Sequence, residues 1–269
     1  LGTKVTVIEM MPNILPLEDK EITKIVESSL KKQGIELMTG AKVAGVKVDD
    51  QVTVSVEGKD GKAEVTGDVA LMAIGVQGNV ENLGLEAVGV KTDRSFIVVN
   101  EFMQTSAPGI YAIGDIAGPP LLAHVASHEA VVAADHIAGK AKRGIDKSNV
   151  PSCTYCQPQV ASVGFTEEAA VAKGYKVKVG RFPFRPLGKA MAIGETEGIV
   201  KLVFDEKYGE LLGAHIVGSE ATEMIAELGM AKALETTWEE LHHTMHAHPT
   251  LSEAVMEAAG DSHGVAIHI

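Results

Sequence analysis

Cysteine is scarce. Only Cys153 and Cys156 occur in 269 residues, too few for the disulfide framework of a secreted scaffold, so a reducing compartment and a cytosolic location are expected. Basic residues are in deficit: 24 Lys and Arg stand against 36 Asp and Glu, a formal net charge of −12. No Lys/Arg-rich run offsets that balance, and an acidic surface repels both phosphate backbones and anionic lipid. Neither nucleic acid nor a membrane is therefore expected as a partner. Long apolar runs are also missing, the longest nearly unbroken one being Val69 to Val76, far below the roughly 20 residues that a membrane helix needs. There is no initiating Met, and Leu1-Gly2-Thr3-Lys4-Val5 has neither the charged start nor the apolar centre of a signal peptide. The expectation is of a sequence that starts inside a longer one. Internal repeats and low-complexity tracts are absent as well.

What remains is an ordinary globular mixture, 45% hydrophobic and 22% charged, long enough for one large domain or two of common size. Val5, Val7 and Ile8 form a short β-branched run that ends at Glu9, followed by a loop and then a helical pattern over 19–32. There Ile22, Ile25, Val26 and Leu30 share one face, with Gly34 as the terminating residue. Strands are predicted at 35–38 and 43–48. Val52, Val54 and Val56 alternate ahead of a Gly-rich hairpin turn, and a continuous apolar strand is predicted over 68–74, closing at Gly75. Strand, helix and strand in this order make an α/β nucleotide-binding, Rossmann-like domain with a β-meander attached. Further strands are predicted at 96–99 and 110–113, the second running into Gly114-Asp115 ahead of an Ala-rich helix over 123–138. The polar stretch 139–149 reads as a linker. Beyond it, five strand patterns (152–155, 159–163, 176–182, 198–204 and 211–217) and helices over 219–235 and 250–259 predict an α+β module.

Four places carry possible chemistry. Glu9, at the end of a strand before a helix, can accept hydrogen bonds from ribose hydroxyls and would repel a 2′-phosphate, which favours NAD over NADP; it can equally be a solvated loop acid. The glycine fingerprint that should precede it by ~20 residues is not in the sequence. Asp115, at a strand exit before a helix, can hold a cofactor hydroxyl or simply cap a turn. His242, His243, His246 and His248 crowd seven residues, with Glu253 close behind. A carboxylate bonded to one ring nitrogen fixes the tautomer and raises the basicity of the other, so His248 and Glu253 can form a proton-handling pair. Thr250 and Glu253 also read as a capping box, and His242 with His246 have metal-ligand spacing but no Cys or Asp nearby. Cys153 and Cys156 form a CxxC inside a predicted strand rather than at a helix start, so their sulfurs should face opposite sides and carry no dithiol function.

Taken together, Val-Thr-Val-Ile-Glu at 5–9, Ala-Pro-Gly-Ile-Tyr-Ala-Ile-Gly-Asp at 107–115, Leu-Leu-Ala-His at 121–124, Pro-Gln-Val-Ala-Ser-Val-Gly-Phe-Thr-Glu-Glu at 158–168 and His-Ala-His-Pro-Thr-Leu-Ser-Glu at 246–253 resemble the C-terminal part of the dihydrolipoamide dehydrogenases. These are a branch of the pyridine nucleotide disulfide oxidoreductases, which are homodimeric FAD enzymes. Leu251 in the last motif points to the lipoamide branch. The resemblance implies three segments: 1–81, part of an NAD-binding domain; 82–149, a central FAD-contacting segment; and 150–269, an α+β dimerisation domain that carries the His–Glu pair. It further implies that Glu9, Val43 and Gly75 contact NAD, that Asp115 binds a ribityl hydroxyl of FAD, and that Leu121, Leu122, Ala123 and His124 lie against the flavin. His248 would be the acid/base and Glu253 would orient it, in the active site of the other subunit.

The implied reaction is oxidation of dihydrolipoamide with reduction of NAD, through FAD and a redox disulfide. It would serve the 2-oxoacid dehydrogenase or glycine cleavage complexes, whose lipoyl domains would be partners. The family's N-terminal FAD part and its CxxxxC pair have no counterpart in these residues, so the 269 residues alone are expected to be inactive. Rival expectations are a sister flavin disulfide reductase, of the mercuric reductase or transhydrogenase type, and a non-catalytic dimerisation module.

Overall fold

A computed structural model describes residues 2–59 and 61–268. In chain order the elements are β1 (Thr6–Glu9), α1 (Lys20–Lys32), β2 (Glu36–Thr39), β3 (Lys42–Val48), β4 (Val52–Gly58), β5 (Gly61–Gly67), β6 (Thr92–Asp93), β7 (Phe96–Ile97), α2 (Ala123–Ile137), β8 (Ser152–Thr154), β9 (Gln159–Gly164), α3 (Glu167–Ala172), β10 (Val177–Pro183), α4 (Gly188–Ile193), β11 (Ile199–Asp205), β12 (Leu211–Gly218), α5 (Ala221–Ala233), α6 (Trp238–His243) and α7 (Glu253–Asp261). They fall into two compact units, one made of 1–70 with 151–269 and the other of 71–150.

The first unit is built on an antiparallel sheet in the order β10-β11-β12-β9-β8. Strand alternation sends Phe182, Val200, Leu202, Phe204, Ala214, Ile216, Ala161 and Val163 to one face, where they form the main core with α5 and α7. On the opposite face Val160 and Val217 pack with Ile14, Ile22 and Val26, the apolar stripe of α1 and its preceding loop. Helix α1 also connects β1 to β2, which pair in parallel, and β3-β4-β5 form the meander.

The face under α1 carries an unusual polar row. Arg181 pairs with Lys201 across β10 and β11, Lys201 with His215, His215 with Ser162, and Ser162 with Ser152, so one polar position on each of the five strands lines up. The acidic turn that opens α1 covers this row. Asp19 caps the helix by accepting from the Glu21 amide at 2.9 Å and takes Lys201 Nζ at 2.8 Å. Glu21 accepts from Arg181 Nε and Nη2 at 2.8 and 2.7 Å and from Lys201 at 2.7 Å, while Glu167 adds a third acid 2.9 Å from Lys201. Lys201 is only 2% exposed, so these acids replace its water. A buried charge survives only when paired in this way. The Arg181 bond, with Lys201 behind it, holds the Glu21 carboxyl at about 2, against the rise that burial imposes. Glu18, beside Ser162 and Ser152, is pushed up by burial, and burial pushes His215 down, its Nε2 donating to the Phe165 carbonyl at 3.0 Å.

From residue 68 through the second unit the expected elements are shorter than their sequence patterns. The predicted 68–74 strand pairs with no strand among the described residues, and Val69, Leu71, Met72 and Ile74 stand exposed. An apolar run of this kind forms a strand only between neighbours that cover both faces. The expected strand at 110–113 reduces to a single bridge from Gln104 to Tyr111, and that at 96–99 reduces to β7. A small core of Val90, Ile97, Ala107 and Ala112 holds this unit. Across the described residues, no helix is long and apolar enough to cross a membrane.

Lys201→Ala should cost about 3–5 kcal/mol in urea unfolding, because it leaves the buried Asp19 carboxylate without its cation. Glu21, lowered in the fold, adds stability above the ordinary carboxylate range that is lost as pH falls through about 2. An acid titration followed by circular dichroism should therefore show the wild type losing more on acidification than Glu21→Gln.

Candidate active site

Helix α7 is the platform of the site. Ala254, Val255, Ala258 and Ala259 are buried against the sheet, and the helix approaches β10 so closely that a Cβ on Gly180 would sit 1.7 Å from the Ala258 carbonyl oxygen. Leu251 is buried in the same core and anchors the loop that precedes the helix. On this platform Glu253 uses both carboxylate oxygens: Oε2 accepts from the Thr250 amide at 2.8 Å, and Oε1 takes His248 Nδ1 at 2.9 Å. The expected capping box of Thr250 and Glu253 does not form, since Ser252 caps α7 and the Thr250 hydroxyl donates to the Ala247 carbonyl; Glu253 holds the Thr250 amide and orients the histidine. The Glu253 side chain is 13% exposed and that of His248 74%. Burial pushes the carboxyl up, but the Thr250 amide and His248 more than offset this and hold it below its usual value. Stability from this pair is therefore present above the ordinary carboxylate range and fades as pH falls through the lowered value. With Nδ1–H donating to Glu253, Nε2 is the basic nitrogen, on an accessible ring.

Glu9 ends β1, where its Oε1 accepts from the Met11 amide at 2.7 Å. The Ala41 amide donates to the Glu9 carbonyl at 2.9 Å, which brings the exposed Val43 at the start of β3 to the same edge. Gly75 lies in the other unit, with a φ of +124° and no neighbour within 4 Å of a Cβ built there. In that unit Gly114 turns the chain at a φ of +75°, which only glycine adopts without strain, and Asp115 stands exposed in the short 3-10 turn 114–117. Leu121 and Leu122 lead into α2 after a cis Pro119–Pro120 bond, with Ala123 and His124 in its first turn.

The CxxC residues do not converge. Cys153 packs on the main core and Cys156 on the α1 side; both thiols are free, and burial pushes both up, away from the lowered pKa of a reactive sulfur. His242 and His246 also diverge, the first bonding the Met256 carbonyl at 3.2 Å and the second Glu227 at 2.8 Å.

The sequence matches the family described as "Pyridine nucleotide-disulphide oxidoreductase" over residues 1–130 and that family's dimerisation domain over residues 150–259. The chain belongs to the pyridine nucleotide-disulphide oxidoreductase family. Among curated members it is 54% identical to the dihydrolipoyl dehydrogenase of Rhizobium etli, over 98% of this chain and 56% of that protein. Against the dihydrolipoyl dehydrogenase of Zymomonas mobilis the figures are 48%, 99% and 58%. Of solved structures, LpdA from Mycobacterium tuberculosis superposes with a TM-score of 0.88 at 31% identity, covering 96% of this chain and 56% of that one. The flavoprotein disulfide reductase RclA from Escherichia coli, solved as a Cu(II) complex, gives 0.89 at 28% identity, covering 96% and 58%. The chain therefore spans rather more than half the length of the family members it matches.

Several partners of these residues escaped the sequence pattern. Glu129, 1% exposed on α2, accepts from the Gly114 amide at 2.7 Å and pairs with Lys147 at 3.1 Å, so it holds the Gly114-Asp115 turn. An acid within the Ala-rich run was its only signal. Glu257, one turn beyond Glu253, is equally buried and accepts from the Ile267 amide at 2.8 Å and from His268 Nδ1 at 2.5 Å, which straps residues 265–268 onto α7. Gly180→Ala should force α7 off the sheet, costing about 1–3 kcal/mol in urea unfolding. The same variant should shift the His248 ring resonances, whereas a substitution at exposed Lys176 should leave them in place.

Proposed function

We propose that this chain is part of a dihydrolipoamide dehydrogenase that oxidises dihydrolipoamide and reduces NAD, and that His248, oriented by Glu253, is its proton-handling base. The observation that carries this is the 2.9 Å bond between Nδ1 and the Glu253 carboxylate on a ring that is otherwise open. A dithiol attacks or is oxidised only as thiolate, and a thiol at neutral pH is mostly protonated. The Nε2 lone pair takes that proton, and the imidazolium so formed is stabilised by the carboxylate on its other nitrogen. The match of residues 150–259 to a dimerisation domain supports a homodimer in which His248 serves the partner subunit's site. Lipoyl domains of 2-oxoacid dehydrogenase or glycine cleavage complexes are the proposed macromolecular partners, in the cytoplasm.

Bound FAD and NAD would supply the electron transfer between the dithiol and the pyridine nucleotide. The residues present suit both groups. Glu9 and Asp115 offer carboxylate acceptors for ribose and ribityl hydroxyls, each at the end of a turn whose backbone is held by a carboxylate: Glu9's own on the Met11 amide, Glu129's on Gly114. Glu9, Val43 and Gly75 are proposed for NAD, and Asp115 with Leu121, Leu122, Ala123 and His124 for FAD. The corresponding segments are 1–81, 82–149 and 150–269. Since burial raises the Cys153 and Cys156 thiols, the redox disulfide is assigned to neither.

In the intact enzyme, His248→Gln should lower kcat for dihydrolipoamide by about 10²–10⁴-fold, and Glu253→Gln should lower it less. Reduction of an artificial acceptor by NADH, which needs no thiol proton transfer, should persist in both. Unchanged dihydrolipoamide turnover in His248→Gln would overturn the assignment.

A further inference from the structure

The loop that carries His248 is tied down on its other side by a second histidine. His246 Nε2 lies 2.8 Å from Glu227 Oε1 on α5, and its Nδ1 lies 2.9 Å from the Thr244 carbonyl oxygen. Both neighbours are acceptors with no proton to give, since a carboxylate and a carbonyl can only receive. A neutral imidazole carries one N–H and one lone pair, so one of these two contacts would set lone pair against lone pair. Only the doubly protonated ring satisfies both. Its side chain is 6% exposed, so solvent cannot relieve the mismatch.

We propose that His246 is a positioning residue for His248, a buried imidazolium that donates from both nitrogens and pins the catalytic loop to α5. The proposal rests on the assignment of His248 as the base. Ala247 alone separates the two rings, and its carbonyl accepts from Thr250 Oγ1 at 2.7 Å. Thr244, just past the end of α6, is itself held, its amide and hydroxyl both donating to the Glu240 carbonyl at 3.0 and 2.6 Å. His248 is thus suspended between two anchors: Glu253 on α7 acts directly on its ring, and Glu227 on α5 acts through His246. A misplacement of about 1 Å at a reacting group can cost on the order of 10²-fold in rate, so the second anchor bears on catalysis without touching substrate.

The surroundings favour the cation. Glu227 faces the ring from α5 and Glu253 from α7, while Glu220 just ahead of α5, Glu223 of α5 and Lys189 of α4 line the groove of about 520 Å³ that Glu227 shares with Pro249, Thr250 and Ser252. Three acids against one lysine leave that groove negative. The Glu227 bond raises the His246 pKa despite the opposing effect of burial. The clamp is therefore complete below the ordinary histidine value and is released as pH rises through the raised one.

Nitrogen-15 imidazole spectra of the full chain test the charge state directly. At pH 7.5 His246 should show two protonated nitrogens, and Glu227→Gln should convert it to a neutral tautomer and speed amide exchange across 245–250. A neutral His246 at pH 7.5 in the wild type would overturn the proposal, whatever the variants do. In the intact enzyme, His246→Gln should lower kcat for the dithiol about 10-fold with little change in the KM for NAD, and His246→Arg, which keeps charge and donors, should restore most of it and remove the alkaline loss of activity. Equal activity and pH profile in His246→Gln and wild type would also overturn it. If the spectra show the cation while the intact enzyme turns over no dithiol, the assignment of His248 fails and the clamp stands.

Discussion

One carboxylate at the start of α7 does two things at once. Glu253 ties down the loop ahead of its helix through the Thr250 amide and orients the His248 ring through its other oxygen. The fold of the loop and the chemistry of the site therefore share one side chain. A buried amide needs an acceptor, and a catalytic imidazole needs an acceptor to settle its tautomer. The geometry is inherited from below: α7 sits flush on the sheet because Gly180 has no side chain, and Leu251 roots the loop in the main core.

The opposite face of the same sheet solves a different problem. Five polar positions in register across five strands would leave a strip of buried polar groups if an apolar helix covered them. The turn that opens α1 instead brings Glu18, Asp19 and Glu21 over Ser152, Ser162, Lys201 and Arg181. Replacing such a network by apolar packing is often neutral or stabilising elsewhere. What the charges contribute here is placement: Asp19 and Glu21 hold the start of α1 on Lys201 and Arg181. Residues 1–70 and 151–269 thereby form one unit although eighty positions separate them in the chain.

Much of the sheet and helix order was legible in the sequence, because alternation and helical periodicity are local. Helices α1 and α2 end within a residue of the periodic pattern, and the five strands of the sheet follow their β-branched runs. The misses have physical causes. Residues 68–74 read as a buried strand because every side chain after Asp68 is apolar, but pairing is supplied by neighbours and cannot be read from the run itself. The short helices α3, α4 and α6 are too brief for periodicity to register. At the site, the link between His248 and Glu253 was readable from spacing and motif. Glu227, Glu129 and Glu257 were not, since each acts on a residue ten or more positions away, and its side chain looks like any other helical acid.

The position of one proton tests the account most directly. Neutron diffraction from crystals of the intact protein near neutral pH would locate the hydrogens on His248. The account predicts a proton on Nδ1, directed at Glu253, with Nε2 bare. A ring protonated on Nε2 alone, or turned away from the carboxylate, would contradict it.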